Sequence, residues 1–163
     1  MNLGTSHDTS EFACDSLRRW WESQGQAAYP RATSLLLLWD SGGSNRARQY
    51  LFQEDFHRLA EGLGLEIRVA HYPSYASKYN PIEHRLFPHL TRACQGVIVH
   101  TIDLGKELME EAKTKTGLCV TVDILDKVYR TGRKVADSFK QNMPILFAPV
   151  LPNWNYRAVP SSA

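Results

Sequence analysis

The sequence has few cysteines, no long apolar run and no strong excess of charge of one sign. Its three cysteines, Cys14, Cys94 and Cys119, are odd in number and far apart, which argues against a disulfide framework and against a zinc knuckle. The longest apolar run, Leu35–Trp39, is too short to cross a bilayer, and the N-terminus lacks the basic start and apolar stretch of a signal peptide. We therefore expect a cytoplasmic protein without a membrane partner.

The charge balance is close to neutral, but the charges are unevenly placed. The 163 residues contain 19 Lys and Arg against 17 Asp and Glu, a net charge of +2, so no global field indicates a nucleic-acid partner. Residues 112–140, however, carry 7 basic and 3 acidic side chains. A hydrophobic content of 43% is enough for one packed core and excludes a disordered tail. If the chain binds a polyanion, we expect its later part to do so.

The order of the predicted elements indicates an α/β protein with parallel strands. Short apolar runs predict buried strands, the first of them covered on both faces, and amphipathic stretches bounded by capping residues and glycines predict helices. The last residues, rich in proline, are predicted to be irregular or extended. Helices are expected at about 9–24, 46–61, 81–95 (kinked at Pro88), 102–115 and 135–142, and strands at 34–40, 65–71 and 118–124.

Two acidic residues follow the first two predicted strands of this sheet. Asp40 ends the first strand, and Glu83 lies in the first turn of the helix after the second. In open α/β sheets, functional groups gather beyond the carboxyl ends of the strands. Carboxylates placed there can bind divalent cations such as Mg²⁺, and a pair of ions about 3.5–4 Å apart can promote phosphoryl transfer. The two residues are therefore candidate catalytic residues and metal ligands.

Each carboxylate also has a purely structural interpretation, which the local pattern leaves open. Glu83 stands three residues after Asn80, the spacing of a capping box. Asp40 precedes Ser-Gly-Gly and can shape a turn. The segment Ser41–Ser44 can also be interpreted as a phosphate cradle of a small-ligand α/β protein, although no GxGxxG or GxxxxGK[ST] motif is present.

Several motifs together resemble a known family. The segment His71–Glu83, ending in Asn-Pro-Ile-Glu, resembles the signature around the last acidic residue of DDE transposases, and Asp40-Ser-Gly-Gly-Ser-Asn resembles the second acidic position. With Arg19-Trp-Trp, Thr114–Leu118 and Asn153–Tyr156, the chain is similar over nearly its whole length to the Rhodopirellula-type insertion-sequence transposases.

The resemblance implies a ribonuclease H-like core that is truncated at its N-terminus. Residues 2–5 would be the end of the core's third strand, and its first two strands, which carry the first catalytic Asp, have no counterpart. Asp8 is the one early substitute, but a helix-capping role explains it better. The expected organisation is a partial DDE catalytic core at 1–100 and a basic α+β extension at 101–163, which packs on the core or continues it.

The function that the resemblance implies is metal-dependent DNA cleavage and strand transfer. Asp40 and Glu83 would hold Mg²⁺ or Mn²⁺, with a two-ion site only if the first Asp is supplied from elsewhere. The chain alone is expected to be weak or inactive, as a fragment of a transposase. Expected partners are transposon ends, target DNA, and a second copy or an intact transposase. The alternative is a non-catalytic DNA-binding remnant or inhibitor of the intact enzyme.

Basic and aromatic residues around these motifs are candidate DNA contacts. Tyr72, Tyr75 and Tyr79 could stack on splayed bases, although a packed aromatic loop is the simpler interpretation. For the basic residues, solvated surface charge is the alternative to phosphate contact. The candidate DNA-binding residues are Arg46, Arg48, Lys78, Arg85, Arg130, Arg133 and Lys134.

Overall fold

The computed structural model describes residues 1–40, 50–73 and 75–161, and these divide into two compact units. The sheet unit comprises 8–76 and 129–163, and the helical unit comprises 1–7 and 77–128. The elements in chain order are β1 (Asn2–Gly4), α1 (Ser10–Trp20), a π-helical turn (Trp21–Gly25), α2 (Gln26–Ala28), β2 (Ser34–Trp39), α3 (Tyr50–Leu63), β3 (Glu66–His71), a 3₁₀ turn (Ser77–Tyr79), α4 (Ile82–Arg85), α5 (Phe87–Ala93), α6 (Ile102–Glu110), β4 (Asp123–Leu125), α7 (Asp137–Gln141), β5 (Ile145–Phe147) and β6 (Asn155–Ala158).

The sheet unit contains a mixed four-stranded sheet in the order β2-β3-β6-β5. Strands β2 and β3 are parallel, as predicted, whereas β6 runs antiparallel to both β3 and β5. The α/β class is confirmed, but the prediction of parallel strands holds for β2 and β3 and not for β6. The C-terminal end, predicted to be irregular or extended, contains the two extended strands β5 and β6. The prolines of this end flank the strands: Pro144 precedes β5, and Pro149 and Pro152 lie in the connection to β6. Proline is tolerated there because no ladder amide is required of it.

The core of the sheet unit lies between the sheet and its helices. Thr9 Oγ1 accepts the Phe12 amide at 3.2 Å and starts α1, close to the predicted start. The apolar side of α3 then packs its fully buried Phe52 and Phe56 on the strands. The other buried members of this cluster are Cys14, Leu59, Ala60, Ile67, Val69, Ile145, Tyr156 and Ala158.

Strand β2 is covered on one face, and the prediction of cover on both faces was wrong. Leu35, Leu37 and Trp39 pack against the core cluster, whereas Leu36 and Leu38 are 66% and 49% exposed. Successive strand side chains alternate between faces, so a run of four leucines fills both faces whether or not both are covered. The run therefore predicted a strand but could not predict how many layers pack on it.

The helical unit has its own small core and a separate two-stranded sheet. Residues 2–4 form a strand, as predicted, but it pairs in parallel with 123–125 and not with the four-stranded sheet. The core consists of Leu90, Ala112, Val120 and Val122, with partly buried neighbours. The predicted strand at 118–124 is reduced to Asp123–Leu125, and the predicted helix at 102–115 ends at Glu110.

The helix predicted at 81–95 is two helices, and the break lies upstream of the predicted kink. The backbone leaves the helical region at Leu86, with φ −122°, and Pro88 then lies in the first turn of α5. Proline has no amide hydrogen and its ring clashes with the carbonyl four residues earlier, which is that of His84 in α4. The ring can be accommodated only if α4 stops first.

Candidate functional site

Asp40 directly follows β2 at the carboxyl edge of the sheet unit's parallel strand pair. The register places Trp39 opposite His71, so β2 and β3 end side by side. The amide of Tyr72 donates to the carbonyl of Trp39 at 2.6 Å and closes the ladder. Asp40 comes one residue after this last ladder bond, and it is exposed. It therefore lies at the edge where α/β sheets bind ligands.

The buried side chain next to Asp40 is His71. Its Nδ1 lies 3.2 Å from the Asp40 carbonyl oxygen, and its Nε2 lies 2.9 Å from the Tyr156 hydroxyl. A carbonyl oxygen can only accept, so Nδ1 carries the proton and Nε2 accepts from Tyr156. Burial lowers the pKa of His71, which favours this neutral imidazole.

Tyr156 completes this group from β6, a strand distant in sequence. It is 3% exposed, its ring packs edge-on against Phe56 with centroids 5.8 Å apart, and burial raises the pKa of its hydroxyl. The hydroxyl therefore stays protonated and can donate to His71. His71 and Tyr156 each lie within a motif of the sequence, but no local pattern connects them, because they are 85 positions apart and meet only when β3 pairs with β6.

Glu83, the other candidate metal ligand, lies in the helical unit as the second residue of α4. The Asn80 side chain accepts the Ile82 amide at 3.4 Å and the Asn80 carbonyl accepts the Glu83 amide at 3.1 Å. Pro81, and not Asn80, is the N-cap of α4, and across the described residues no hydrogen bond or ion pair involves the half-buried Glu83 carboxylate. The capping-box interpretation of Glu83 was therefore wrong.

The turn before α4 presents basic and aromatic side chains. His84 Nε2 lies 2.7 Å from the Lys78 carbonyl and joins α4 to the 3₁₀ turn. Lys78 is exposed, with its Nζ 5.0 Å from the centroid of the Tyr79 ring. Tyr79 is 68% exposed, and Tyr75, in the sheet unit, is fully exposed. The packed-aromatic interpretation was wrong for these two tyrosines.

The candidate DNA-binding residues have different environments. Arg85, Arg130 and Lys134 are exposed. Arg133 is different, because its guanidinium binds Asp55 at 2.7 and 3.0 Å and Glu11 at 3.2 Å, and the hydrogen bond with Asp55 raises its pKa. Arg46 and Arg48, like the Ser41–Ser44 segment, lie outside the described residues.

The donor chemistry of the two candidate ligands suits a hard divalent cation. Asp40 and Glu83 offer carboxylate oxygens, which Mg²⁺ and Mn²⁺ accept. Across residues 1–40, 50–73 and 75–161, however, no group of three or more His, Cys, Asp or Glu side chains is placed to hold a metal ion. The two carboxylates therefore offer the type of ligand atom that such an ion prefers, but they do not belong to a group of three or more ligands within the described residues.

The fold is that of an α/β protein, and its strand-end site places one acidic residue, Asp40, at the carboxyl edge of a parallel strand pair. The chain belongs to the Rhodopirellula transposase DDE domain family, because it matches that domain over residues 1–160. No curated protein and no solved structure matches it significantly.

Membership of this family supports a transposase-type function. Domains of this kind generally use a divalent metal, and a transposase has DNA as its partner. Among the helices of the described ranges, none is long and apolar enough to span a membrane.

Proposed function

We propose that this chain is the catalytic-domain part of a DNA transposase that cleaves DNA and transfers strands with the help of a divalent metal. The observation that carries the proposal is the position of Asp40, one residue beyond a strand in register with its parallel neighbour, in a chain matched to a DDE domain over 1–160. Strand ends of this kind hold ligands in α/β proteins.

Asp40 and Glu83 are each proposed as a metal ligand of this reaction. When bound, Mg²⁺ or Mn²⁺ supplies an activated water and stabilises the leaving oxygen. The chain's own carboxylates bring negative charge and hard oxygen donors, and the exposure of Asp40 leaves it open to solvent and DNA. The resemblance supplies two of the family's three carboxylates, so we expect the chain alone to have weak activity or none.

The finer fold assignment is part of the same proposal. We assign residues 1–100 to a partial ribonuclease H-like core and 101–163 to a basic extension. The support is the parallel pair β2-β3 with α3 between them, followed by the segment that carries Glu83. This order is the one that the resemblance implies for the later half of such a core.

DNA contact is proposed through the exposed basic residues, with stacking by Tyr75 and Tyr79. Lys78, with its Nζ over the Tyr79 ring, places a cation beside an aromatic face. Arg133 remains a proposed contact, although two carboxylates already bind its guanidinium. The other proposed contacts are Arg46, Arg48, Arg85, Arg130 and Lys134.

Metal binding and DNA binding measured on the same variants test the proposal. We expect Asp40→Asn and Glu83→Gln each to weaken Mn²⁺ binding, followed by electron paramagnetic resonance, without lowering the melting temperature. Glu107→Gln is the matched control, since it removes an exposed acidic charge on α6 that is not a candidate ligand. Equal Mn²⁺ binding by all four proteins would contradict the catalytic assignment.

The second candidate function is DNA binding without catalysis, as a remnant or as an inhibitor of an intact transposase. It is favoured by exposed basic residues, Lys78, Arg85, Arg130 and Lys134, that do not depend on the carboxylates. DNA binding that is unchanged by EDTA, by Asp40→Asn and by Glu83→Gln, together with no Mn²⁺ binding, would favour this function over the first.

A further inference from the structure

We propose that His71 is a positioning residue for Asp40, held between the Asp40 carbonyl and the Tyr156 hydroxyl so that it fixes the backbone that carries the metal ligand. This inference rests on the proposed function, because it takes Asp40 to be a metal ligand. It assigns His71 no contact with DNA or metal, and it assigns Tyr156 the role of orienting His71.

The first support is that both ring nitrogens of His71 are used. Nδ1 faces the Asp40 carbonyl at 3.2 Å and Nε2 faces the Tyr156 hydroxyl at 2.9 Å. The His71 amide also donates to the Trp154 carbonyl at 2.8 Å, so main chain and ring are both held. His71 is 6% exposed and Tyr156 3%, so water does not compete freely for these bonds.

The second support is the place of the contact on the Asp40 backbone. The last ladder bond of this strand pair runs from the Tyr72 amide to the carbonyl of Trp39. The next carbonyl is that of Asp40, and the imidazole of His71 is a donor to it. The carbonyl carbon and Cβ of Asp40 turn together about the N–Cα bond, so a donor that holds the carbonyl oxygen limits rotation about φ as well as about ψ. It therefore restrains the direction in which the carboxylate leaves the strand.

The third support is that one tautomer of the imidazole satisfies both of its partners: the Asp40 carbonyl requires a donor, and the Tyr156 hydroxyl can donate or accept. If Nε2 carried the proton, the lone pair of Nδ1 would face the carbonyl oxygen of Asp40, which is repulsive. With Nδ1 protonated, Nε2 is free to accept, and the Tyr156 hydroxyl is a donor at the right distance. The ring of His71 also packs edge-on against Phe52, with centroids 6.2 Å apart, which holds its plane. Residues that orient a metal ligand through hydrogen bonds are commonly held in place themselves, as the ring of His71 is here.

The experiment begins with the unmodified chain, so that it does not depend on any variant folding. Two-bond ¹H–¹⁵N NMR correlations of the imidazole are expected to show His71 as the neutral tautomer protonated at Nδ1. The tautomer protonated at Nε2 would overturn the inference, because that ring cannot donate to Asp40.

Two near-isosteric variants then separate the two bonds of the ring. His71→Asn keeps an amide nitrogen at the position of Nδ1, and His71→Gln keeps one near Nε2. Both remove ring packing, so a merely structural role predicts similar losses of melting temperature and equal Mn²⁺ binding. A positioning role predicts that His71→Gln weakens Mn²⁺ binding about tenfold, while His71→Asn stays close to the unmodified chain. Tyr156→Phe is expected to lie between them, and His100→Asn, an exposed histidine, is the control.

Asp40→Asn in the same series separates failure of this inference from failure of the proposed function. If Asp40→Asn loses Mn²⁺ binding but His71→Gln and His71→Asn bind equally, the positioning role is overturned and the metal site stands. If Asp40→Asn binds Mn²⁺ as the unmodified chain does, the proposed function fails, and the inference fails with it.

Discussion

Asp55 on α3 is a buried carboxylate whose two oxygens are bound by side chains distant in sequence. Ser10 donates to one oxygen at 2.6 Å, and Arg133 donates to both, at 2.7 and 3.0 Å. Asp55 is 6% exposed, so these bonds replace water that the carboxylate has lost. The position of the Arg133 guanidinium is therefore determined by its ion pair with Asp55, although Arg133 lies in a basic stretch of the sequence.

Removing one partner of the Asp55–Arg133 ion pair should destabilise the fold. We expect Arg133→Ala to lower the free energy of unfolding by about 3 kcal/mol, because it leaves the buried Asp55 charge unpaired. Lys134→Ala, the matched change at an exposed neighbour, should have little effect. Urea unfolding followed by circular dichroism measures both. Equal stability of the two variants would show that the ion pair contributes nothing.

A pH-dependent contribution is expected from Glu66. The hydrogen bond from Arg68, together with the nearby charges of Arg68 and Arg157, lowers the pKa of Glu66 below its ordinary 4.5. A lowered pKa in the folded state stabilises the fold above pH 4.5, and this stabilisation is lost as the pH falls through the folded-state value. We expect Glu66→Gln to be less stable than the unmodified chain at pH 7, and the difference to shrink as the pH falls below 4.5 and through the lowered pKa of the folded state. A difference that is constant with pH would contradict this prediction.

At the scale of elements, the two edge strands of the mixed sheet differ in their protection. Strand β5 has three residues and lies between Pro144 and Pro149, whereas β2 has six residues without charge, proline or glycine. Leu36 and Leu38 are exposed on β2, and Leu36 also lines a cavity of about 520 Å³ on that face of the sheet unit. Long uncharged edge strands promote association of chains.

We therefore expect Leu36→Lys to reduce concentration-dependent association, measured by sedimentation velocity. The side chain is 66% exposed, so the free energy of unfolding should change little. Val128→Lys is the control, because it replaces an apolar side chain of similar exposure outside the strands. If both variants reduce association equally, added charge and not the β2 edge is the cause.

For the whole molecule, the net charge is only +2, which is too small to attract DNA strongly by itself. DNA binding must therefore depend on the positions of individual basic side chains. Exposed basic residues occur in both units: Lys78 and Arg85 in the helical unit, Arg130 and Lys134 in the sheet unit. Each phosphate contact releases counterions, so binding through these residues should weaken as salt concentration rises.

We expect the logarithm of the DNA association constant to fall linearly with the logarithm of salt concentration. Lys134→Ala should reduce the magnitude of this slope by about 1, the change for one lost phosphate contact. Lys106→Ala is the control, because Lys106 lies near Glu110 on α6 and is not a proposed contact. Fluorescence anisotropy with a labelled duplex measures the slopes. A slope unaltered in Lys134→Ala would remove that residue from the proposed interface.

Local features of the fold were predictable, and long-range pairings were not. The start of α1 at Thr9 and strands β2 and β3 follow from capping and apolar runs, which act over a few residues. The kink was predicted at Pro88, but the helix breaks at Leu86, because the proline ring clashes with the carbonyl of His84, one turn earlier. For the candidate site, the motifs gave Asp40 and Glu83, but no local pattern connected His71 with Tyr156.

The sequence by itself determined the family, the α/β class, the candidate carboxylates and most helices and strands, since motifs, caps and periodicity are carried by neighbouring residues. Only the tertiary structure decided that β6 pairs antiparallel with β3, that Tyr156 contacts His71 and that Arg133 binds Asp55. These contacts join residues 78 or more positions apart. Their formation depends on which surfaces are buried together once loops have closed, and burial is a property of the packed chain, not of any segment.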